Sequence, residues 1–524
     1  MRRHPLLVAI VVMAIASALV AGAGLALRGP APSADRTPVA TPRSDTAKRA
    51  AIDEAAWPKP AAIAWHDCGS AGLSFAQCAS VPVPLDWGHP KGSAIRIAVS
   101  RVRHTAGPYA GPILVNPGGP GVSGLRLATL GAQVPGTAAE RYDWIGFDPR
   151  GVGASRPRLS CIPDYGDGPK PAYAPATPQT IATWLRRAKG YAAACRKNGP
   201  LLDHMTTEDA AKDLEYLRLA LREPRISYYG YSYGTYLGQV YATLFPSRVG
   251  RMVLDSNVDP RRVWYGANLD QDAAFQTTVE AWFRWMARAD DTYHLGSTTL
   301  EVEQRYAALV AELRRHPGDG VLGPDELNDT VLEAGYDASW WPELAEALAE
   351  EVLGGDPGRM ISDWRSINEP TDDNGYAVYL AVDCTDAAWP TDWATWQRDS
   401  ARVNARASFE TWPNTWFNAP CLTWPAKPHQ PVAVDGRDAP PALLIDQTLD
   451  AATPYAGSLE VRSRFPRARL LAEPGGTTHA DSLSGNVCVD TAIARYLASG
   501  TLPARRPGRT ADATCRPLPE PPAG

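Results

Sequence analysis

The chain has 524 residues, of which 44% are hydrophobic and 21% are charged, and its formal net charge is −5. This composition is typical of a globular protein longer than one average domain, so we expect a core that carries an insertion. Binding to nucleic acid would need clustered Lys and Arg, and no basic stripe or zinc-finger spacing is present, so the sequence excludes nucleic acid as a partner.

The N-terminus has the features of an export signal. Two arginines follow the first residue, and residues 6–27 are apolar or small without interruption, with a candidate cleavage site at residues 21–23. The apolar run is also long enough to cross a membrane, so a membrane tether through residues 6–27 is the alternative to a cleaved signal peptide at residues 1–27. Residues 28–60, rich in Pro, Ala and Thr, predict a flexible linker. We therefore predict an exported protein, secreted or associated with the cell envelope.

Eight cysteines in a chain with an export signal predict four disulfides. We expect each cysteine to pair with its neighbour along the chain, because every such pair brackets one loop region. The expected pairs are Cys68 with Cys78, Cys161 with Cys195, Cys384 with Cys421, and Cys488 with Cys515. Free buried thiols are the alternative. No C-x-x-C or H-E-x-x-H spacing is present, so we expect no metal site.

A candidate oxyanion-binding loop follows the first strongly apolar strand. Residues 111–116 predict that strand, and the glycine-rich residues 117–124 can expose backbone N–H groups, of which the N–H of Gly119 is our candidate donor. From Gly119 onward the loop also matches the dinucleotide pattern G-x-G-x-x-G, with Asp143 at about the distance of a ribose contact. Pro120 argues against this alternative, because it stiffens the turn and lacks a phosphate-binding N–H. A purely structural glycine loop is the third interpretation.

The sequence Gly-Tyr-Ser-Tyr-Gly at residues 230–234 predicts a nucleophile elbow. An apolar strand at residues 226–229 precedes it and a helical stretch follows, which places Ser232 on a sharp turn above a helix N-terminus. The N–H of Tyr233 is the second candidate oxyanion donor. Residues 206–209 resemble a capping box that opens the helix before this strand. An ordinary glycine-rich turn is the alternative.

The order of predicted elements indicates an α/β protein. Strand and helix signals alternate over residues 61–261 and resume over residues 431–524, which is the pattern of a mostly parallel sheet covered by helices. Between them, residues 262–430 are rich in Ala, Glu, Arg and Trp at helical spacing, for example over residues 339–353. We predict an α/β-hydrolase fold with a large helical lid insertion, whose tryptophans mostly serve as core anchors.

Asp450 is the candidate catalytic acid. Residues 442–446 predict a buried strand, and Asp450 lies in the loop beyond its end, where a carboxylate can reach the Nδ1 atom of a histidine. Asp446 and Asp255, which also end apolar strands, are the rivals. Thr453, followed by proline, predicts the N-cap of the next helix.

His479 is the candidate base. It lies in a glycine-rich loop after the apolar residues 468–471, and it is the histidine that follows Asp450 in the chain. The order Ser232, Asp450, His479 is that of α/β-hydrolases. The other histidines after Ser232 lie in charged helical or Pro-rich sequence and are predicted to be surface residues: His294, His316 and His429.

These motifs resemble those of the secreted tripeptidyl aminopeptidases of actinobacteria, which are relatives of prolyl iminopeptidase, and of similar exported mycobacterial serine hydrolases. The resemblance spans about residue 61 to the C-terminus, and its motifs are Asn-Pro-Gly-Gly-Pro-Gly at 116–121, Phe-Asp-Pro-Arg-Gly-Val-Gly-Ala-Ser at 147–155, Gly-Tyr-Ser-Tyr-Gly-Thr-Tyr-Leu-Gly at 230–238, Leu-Asp-Ala-Ala-Thr-Pro-Tyr at 449–455, and the His479 loop. It implies release of short peptides from substrates with free N-termini. Val122, Asn257 and Ala480 depart from the usual glycines of such loops.

The expected chemistry is acyl transfer through a Ser-His-Asp triad without a cofactor. An exported carboxylesterase or lipase with the same triad is one alternative, and a non-catalytic binding protein on a hydrolase scaffold is another. A free N-terminus also needs an acidic partner for its ammonium group. We select Asp386, which follows Cys384 where the lid returns to the core, against the alternative that it is a solvated loop residue.

Overall fold

The structure is a computed structural model that describes residues 52, 54–69, 72–166, 170–368 and 372–523. The predicted leader at residues 1–27 and most of the predicted linker lie outside these residues. In the part of the chain that is described, no helix is both long and apolar enough to cross a membrane. Trp57, near the end of the predicted linker, is buried and packs against Trp87 with ring centroids 4.3 Å apart. The end of the predicted linker is therefore anchored to the core at Trp57.

Within the described residues, ten strands form one sheet. They are β1 His66–Asp67, β2 Gln77–Pro84, β3 Ala94–Val102, β4 Pro112–Asn116, β5 Asp143–Asp148, β6 Ile226–Tyr231, β7 Val249–Asp255, β8 Leu443–Gln447, β9 Arg469–Glu473 and β10 Ala513–Thr514. Their spatial order is β1-β2-β3-β5-β4-β6-β7-β8-β9-β10. Pairing is antiparallel from β1 to β5 and parallel from β5 to β10. The prediction of a mostly parallel sheet is confirmed.

Helices cover both faces of this sheet. In chain order the α-helices are α1 Pro178–Cys195, α2 Thr207–Leu221, α3 Tyr233–Leu244, α4 Tyr265–Arg288, α5 Asp290–Tyr293, α6 Thr299–Leu313, α7 Pro324–Val331, α8 Glu333–Tyr336, α9 Trp341–Ala349, α10 Gly358–Ile367, α11 Asn374–Asp386, α12 Trp393–Asn404, α13 Thr411–Asn418, α14 Ala456–Arg464 and α15 Val487–Ser499. Strands β4, β5, β6 and β8 are buried along their whole length, which explains their continuous apolar sequences. Thr206 caps α2, as predicted, because its hydroxyl accepts from the N–H of Asp209.

Helices α4 to α13 lie between β7 and β8, and we call this part of the chain the helical insertion. Much of it packs around a hydrophobic cluster of its own that contains Trp282, Trp285 and Trp341. Trp264 is also buried but belongs to the main core, next to Tyr236. Residues 339–353, predicted as one helix, are divided among a 3-10 turn, α9 and a π-helical turn at Glu350–Gly354.

The expected disulfide pairing is confirmed. The bonds join Cys68 to Cys78, Cys161 to Cys195, Cys384 to Cys421, and Cys488 to Cys515, and the described chain contains no free cysteine. The third bond links α11 to the end of the insertion, and the fourth links the start of α15 to the strand β10 region.

Removing these bonds is expected to destabilise the protein according to the loop that each closes. The Cys161–Cys195 bond has a sequence separation of 34 and the Cys68–Cys78 bond one of 10. Chain entropy then predicts losses of about 4 and about 3 kcal/mol, respectively, in the free energy of unfolding. Urea unfolding of the two double Cys→Ser variants measures both losses. Equal stability of wild type and the Cys161/Cys195 variant would contradict this expectation.

Candidate active site

Ser232 sits on the tight turn between β6 and α3. Its backbone has φ 55° and ψ −126°, a strained conformation for a residue with a side chain. The turn is tight enough that only glycine fits beside the serine: a Cβ atom on Gly230 would lie 2.5 Å from the carbonyl oxygen of Gly234. A Cβ atom on Gly234 would lie 2.6 Å from the carbonyl oxygen of Asn116. The predicted strand, turn and helix are therefore confirmed, and the half-buried Ser232 is presented above the N-terminus of α3.

The imidazole of His479 binds the carboxylate of Asp450. The Nδ1 atom lies 2.8 Å from Oδ2 and 3.0 Å from Oδ1 of Asp450, and both side chains are buried. A proton on Nδ1 leaves Nε2 free to accept a proton from a nucleophile. Strand β8 ends at Gln447 and β9 at Glu473, so both residues lie in loops beyond the carboxyl ends of neighbouring parallel strands.

Thr453 holds the carboxylate of Asp450 from the other side. Its N–H donates to Oδ1 at 2.9 Å and its hydroxyl to Oδ2 at 3.0 Å. The prediction that Thr453 caps the following helix is wrong, because α14 begins at Ala456, after Tyr455. The local sequence favoured Thr453 as a helix N-cap, but in the folded chain its hydroxyl donates to the carboxylate of Asp450 instead.

Charge around His479 favours the imidazolium form. Burial lowers the pKa of His479. The charge and hydrogen bond of Asp450, together with the charge of Asp255, raise it by more than burial lowers it, so the pKa lies above its ordinary value of 6.5. The imidazole is mostly neutral, and so able to accept a proton, only when the pH is above this raised pKa. Loss of activity at acid pH is the chemical consequence for any reaction that uses His479 as a base.

The loop after β4 approaches the elbow closely. Gly118 and Gly119 have φ values of 99° and 102°, and a Cβ atom on Gly118 would lie 2.8 Å from the Cβ atom of Ser232 and 3.0 Å from the nitrogen of Tyr233. Across the described residues, neither the N–H of Gly119 nor that of Tyr233 has a protein hydrogen-bond partner. Two unpaired donors beside a serine are suited to a developing oxyanion.

The dinucleotide alternative has little structural support. That motif needs an α-helix at its third glycine, whereas a 3-10 helix, Leu125–Gln133, follows this loop. A Cβ atom on Gly121 would lie 2.4 Å from the carbonyl oxygen of Gly375 in α11, so the helical insertion closes the loop on that side. Asp143 forms an ion pair with Arg101 and hydrogen bonds with His104.

The two rival carboxyl groups, Asp446 and Asp255, bind groups other than the imidazole ring. Asp446 accepts a hydrogen bond from the hydroxyl of Ser458, and Asp255 accepts one from the N–H of Ser482. Neither forms a hydrogen bond with the His479 ring in the described structure. The other histidines considered are exposed, as predicted: His294, His316 and His429.

The helical insertion contacts the histidine loop directly. The N–H of His479 donates to the carbonyl oxygen of Tyr336 at 2.7 Å, and the two rings meet edge to face with centroids 5.9 Å apart. One turn further on, the N–H of Ala338 donates to the hydroxyl of Thr478 at 3.2 Å. Sequence analysis missed Tyr336, because its importance comes from a contact between residues far apart in the chain.

Asp386 ends α11 and is buried, with 4% of its surface exposed. Its carboxylate accepts from the N–H of Thr207 at 2.7 Å, from the hydroxyl of Thr207 at 2.5 Å and from the indole of Trp264 at 3.3 Å. Burial raises the pKa of Asp386 to about 7. The alternative of a solvated loop residue is thus wrong, and the carboxylate caps the N-terminus of α2.

Two cavities lie at the junction of core and insertion. The first borders Gly118, Tyr233 and Val378. The second borders Asp386 and His429. Both are lined by Thr206, so they lie next to each other.

A mostly parallel sheet with a nucleophile elbow, and with an aspartate and a histidine in loops beyond later strands, defines an α/β-hydrolase. Residues 407–515 match the family model described as TAP-like protein. The chain is 40% identical to the tripeptidyl aminopeptidase of Streptomyces lividans, over 90% of each chain. It is 30% identical to the serine protease Hip1 of Mycobacterium tuberculosis, over 84% of this chain and 89% of the relative. The chain belongs to the tripeptidyl aminopeptidase family, and it is a serine hydrolase.

Two further similarities were found. The chain is 33% identical to carboxylesterase B of Mycobacterium tuberculosis, over 84% of this chain and 88% of the relative. Among solved structures, proline iminopeptidase of Mycobacterium smegmatis covers 80% of this chain and 97% of its own, with 18% identity and a TM-score of 0.38.

The charge environment of His479 gives a titration that can be observed directly. In wild type we expect the imidazole to titrate above pH 6.5, and in Asp450→Asn at a lower pH, because the largest favourable charge is removed. The imidazolium pair should stabilise the fold below about pH 6.5, and this contribution should be lost as the pH rises through the folded pKa. NMR of labelled histidine, with His479→Gln for assignment, measures the midpoints. Equal midpoints for His479 in wild type and in Asp450→Asn would contradict this expectation.

Proposed function

We propose that this chain is an exported serine peptidase that releases tripeptides from the free N-termini of peptide substrates, with Ser232, His479 and Asp450 as its catalytic triad. The observation that carries the proposal is the 2.8 Å contact between His479 Nδ1 and Asp450 Oδ2 at the same sheet edge as the strained Ser232 turn. The disulfides support export, since such bonds persist outside the cytosol. The identity with the Streptomyces lividans relative supports the substrate class.

In this mechanism the neutral His479 takes the proton of Ser232 as the hydroxyl attacks the scissile carbonyl carbon. The N–H groups of Gly119 and Tyr233 bind the oxyanion of the tetrahedral intermediate. His479 then protonates the departing amine, which leaves an acyl enzyme. Water, deprotonated by the same imidazole, releases the acyl peptide and restores Ser232. Asp450 orients the ring and stabilises the imidazolium in both halves of the reaction.

The helical insertion supports an action on short chain ends. The edge-to-face contact of Tyr336 with His479 places α8 against the loop that carries the base. Helix α11 covers the oxyanion loop at Gly375 on the other side. A site enclosed in this way favours a peptide terminus over the middle of a folded protein.

A carboxylesterase that uses the same triad is the second candidate, favoured by the 33% identity with carboxylesterase B. The cavity beside Tyr233 is lined in part by the apolar side chains of Val152, Met205 and Val378. Rates on a tripeptide anilide and on an acyl ester with the same leaving group separate the two activities.

The decisive test uses matched peptides with free and acetylated N-termini, digested and read by mass spectrometry. We expect wild type to release tripeptides from the free peptides only. Ser232→Ala should lower kcat by about 10⁶-fold and Asp450→Asn by about 10⁴-fold, because the first removes the nucleophile and the second the support of the base. The control is Asp446→Asn, which changes the rival carboxyl group and should retain most activity. Undiminished hydrolysis by Ser232→Ala would rule out the triad.

Asp386 remains the predicted partner of the substrate ammonium group. Its support is its position on the cavity that His429 also borders, and its hydrogen bond with the Thr207 hydroxyl, which lies 3.0 Å from the hydroxyl of Tyr233. A substrate amine would compete there with Thr207 for the carboxylate oxygens.

For Asp386→Asn we expect a rise in KM of about tenfold for peptides with a free N-terminus, since a charge-assisted hydrogen bond becomes a neutral one. The rate on acetylated peptides should stay as low as in wild type. Asp383→Asn, a buried aspartate in the same helix, is the matched control. Unchanged selectivity for free over acetylated peptides would remove Asp386 from this role.

A further inference from the structure

Asp255, which ends β7, and Ser256 form a short segment that contacts the Ser232 turn, strand β8 and the histidine loop. The carbonyl oxygen of Asp255 accepts from the N–H of Ser232 at 3.1 Å. The N–H of Ser256 donates to the carbonyl oxygen of Ile445, in β8, at 3.0 Å. The side chains of both residues bind the loop of His479.

Two hydrogen bonds hold the histidine loop to this segment. The carboxylate of Asp255 accepts from the N–H of Ser482 through Oδ2 at 2.9 Å, and the hydroxyl of Ser256 accepts from the N–H of Ala480 at 2.8 Å. The hydroxyl of Ser256 also donates to Oδ1 of Asp255 at 3.4 Å. The loop is therefore fixed on both sides of Asp481, one and three residues after the imidazole.

The backbone at Ser256 is unusual. Its φ is 63°, in the left-handed region that glycine adopts more readily than serine. The histidine loop has the same feature at Ala480, with φ 59°, and at Leu483, with φ 66°. Strained residues persist where surrounding contacts determine them, and here those contacts are the hydrogen bonds between the two segments.

We propose that Asp255 and Ser256 are positioning residues for His479, and that the negative charge of Asp255 helps to stabilise the imidazolium that forms during the reaction. This inference rests on the proposed triad. It assigns no contact with substrate to either residue. Asp450 remains the carboxylate that binds the imidazole ring. Asp255 does not touch the ring; it holds the backbone of the histidine loop at Ser482, and its negative charge acts on the imidazolium.

The surroundings of Asp255 suit a positioning residue that carries a negative charge. It is 2% exposed, and burial raises its pKa to about 6, so it is ionised in neutral and alkaline solution. The titratable groups that face it are Tyr229 and Tyr231 from β6, Asp446 from β8, Asp450 from the next loop, Glu473 from β9, and His479 and Asp481 from the histidine loop. Among these groups the imidazolium is the one that can carry a positive charge.

The test is the pH dependence of peptide hydrolysis by Asp255→Asn, with wild type and Ser232→Ala measured in parallel. The amide oxygen can still accept from Ser482, whereas the charge is lost. We expect kcat at the plateau to fall about tenfold with KM within about twofold, because the substrate is not touched. The acid midpoint of kcat/KM should move down by roughly half to one pH unit, because His479 loses a favourable charge.

Ser256→Gly tests the hydroxyl without a penalty from backbone strain. Glycine accepts the positive φ, so we expect the Tm to be retained while kcat falls several-fold and the acid midpoint stays in place. If Asp255→Asn is poorly folded, the kcat of Ser256→Gly still tests whether this segment positions His479. The pH midpoint itself does not depend on how much of a sample is folded.

Glu473→Gln is the matched control. Glu473 is a buried carboxyl group on β9, but it binds the side chain of Asn486, and we expect the substitution to leave the acid midpoint unchanged. An unmoved midpoint and plateau in Asp255→Asn, together with full activity of Ser256→Gly, would overturn the inference while the triad stands. Full activity of Ser232→Ala would instead overturn the proposed function itself.

Discussion

The site depends on one constraint, which is that the carboxyl ends of β6, β7, β8 and β9 lie side by side in parallel register. Each strand ends at the same sheet edge, so the residues that follow are brought together although they are far apart in the chain. Ser232 follows β6, Asp255 ends β7, Asp450 follows β8 and His479 follows β9. The sheet therefore supplies the proximity, and short hydrogen bonds between adjacent loops supply the orientation.

Buried carboxyl groups are unusually dense behind the histidine loop. Burial raises the pKa of Asp255 to about 6, that of Asp481 to about 7 and that of Glu473 to about 8. At neutral pH much of this row is therefore protonated, which avoids the cost of several unpaired buried charges. Asp255 has the lowest pKa of the three, so it is the member of this row that is ionised at neutral pH, and its charge raises the pKa of His479.

The helical insertion contributes to the site as well as covering it. It approaches the glycine loop after β4 through Gly375, and it binds the histidine loop through Tyr336 and Ala338. The position of the insertion and that of His479 are therefore coupled by direct hydrogen bonds. The disulfide between Cys384 and Cys421 joins two parts of the insertion close to its return to the sheet.

The fold class, the elbow, the disulfide pairs and the pairing of Asp450 with His479 could all be predicted from the sequence, because these depend on local patterns and on chain order. Glycine spacing, apolar strands and scarce histidines are visible without coordinates. Three features could not be predicted and became visible in the three-dimensional structure: Thr453 binds Asp450 instead of capping a helix, Asp386 is buried, and Tyr336 contacts His479. The contacts of Asp386 and of Tyr336 join residues that are far apart in the sequence. The local sequence around a residue does not show which distant residue will bind it, so these contacts could not be predicted.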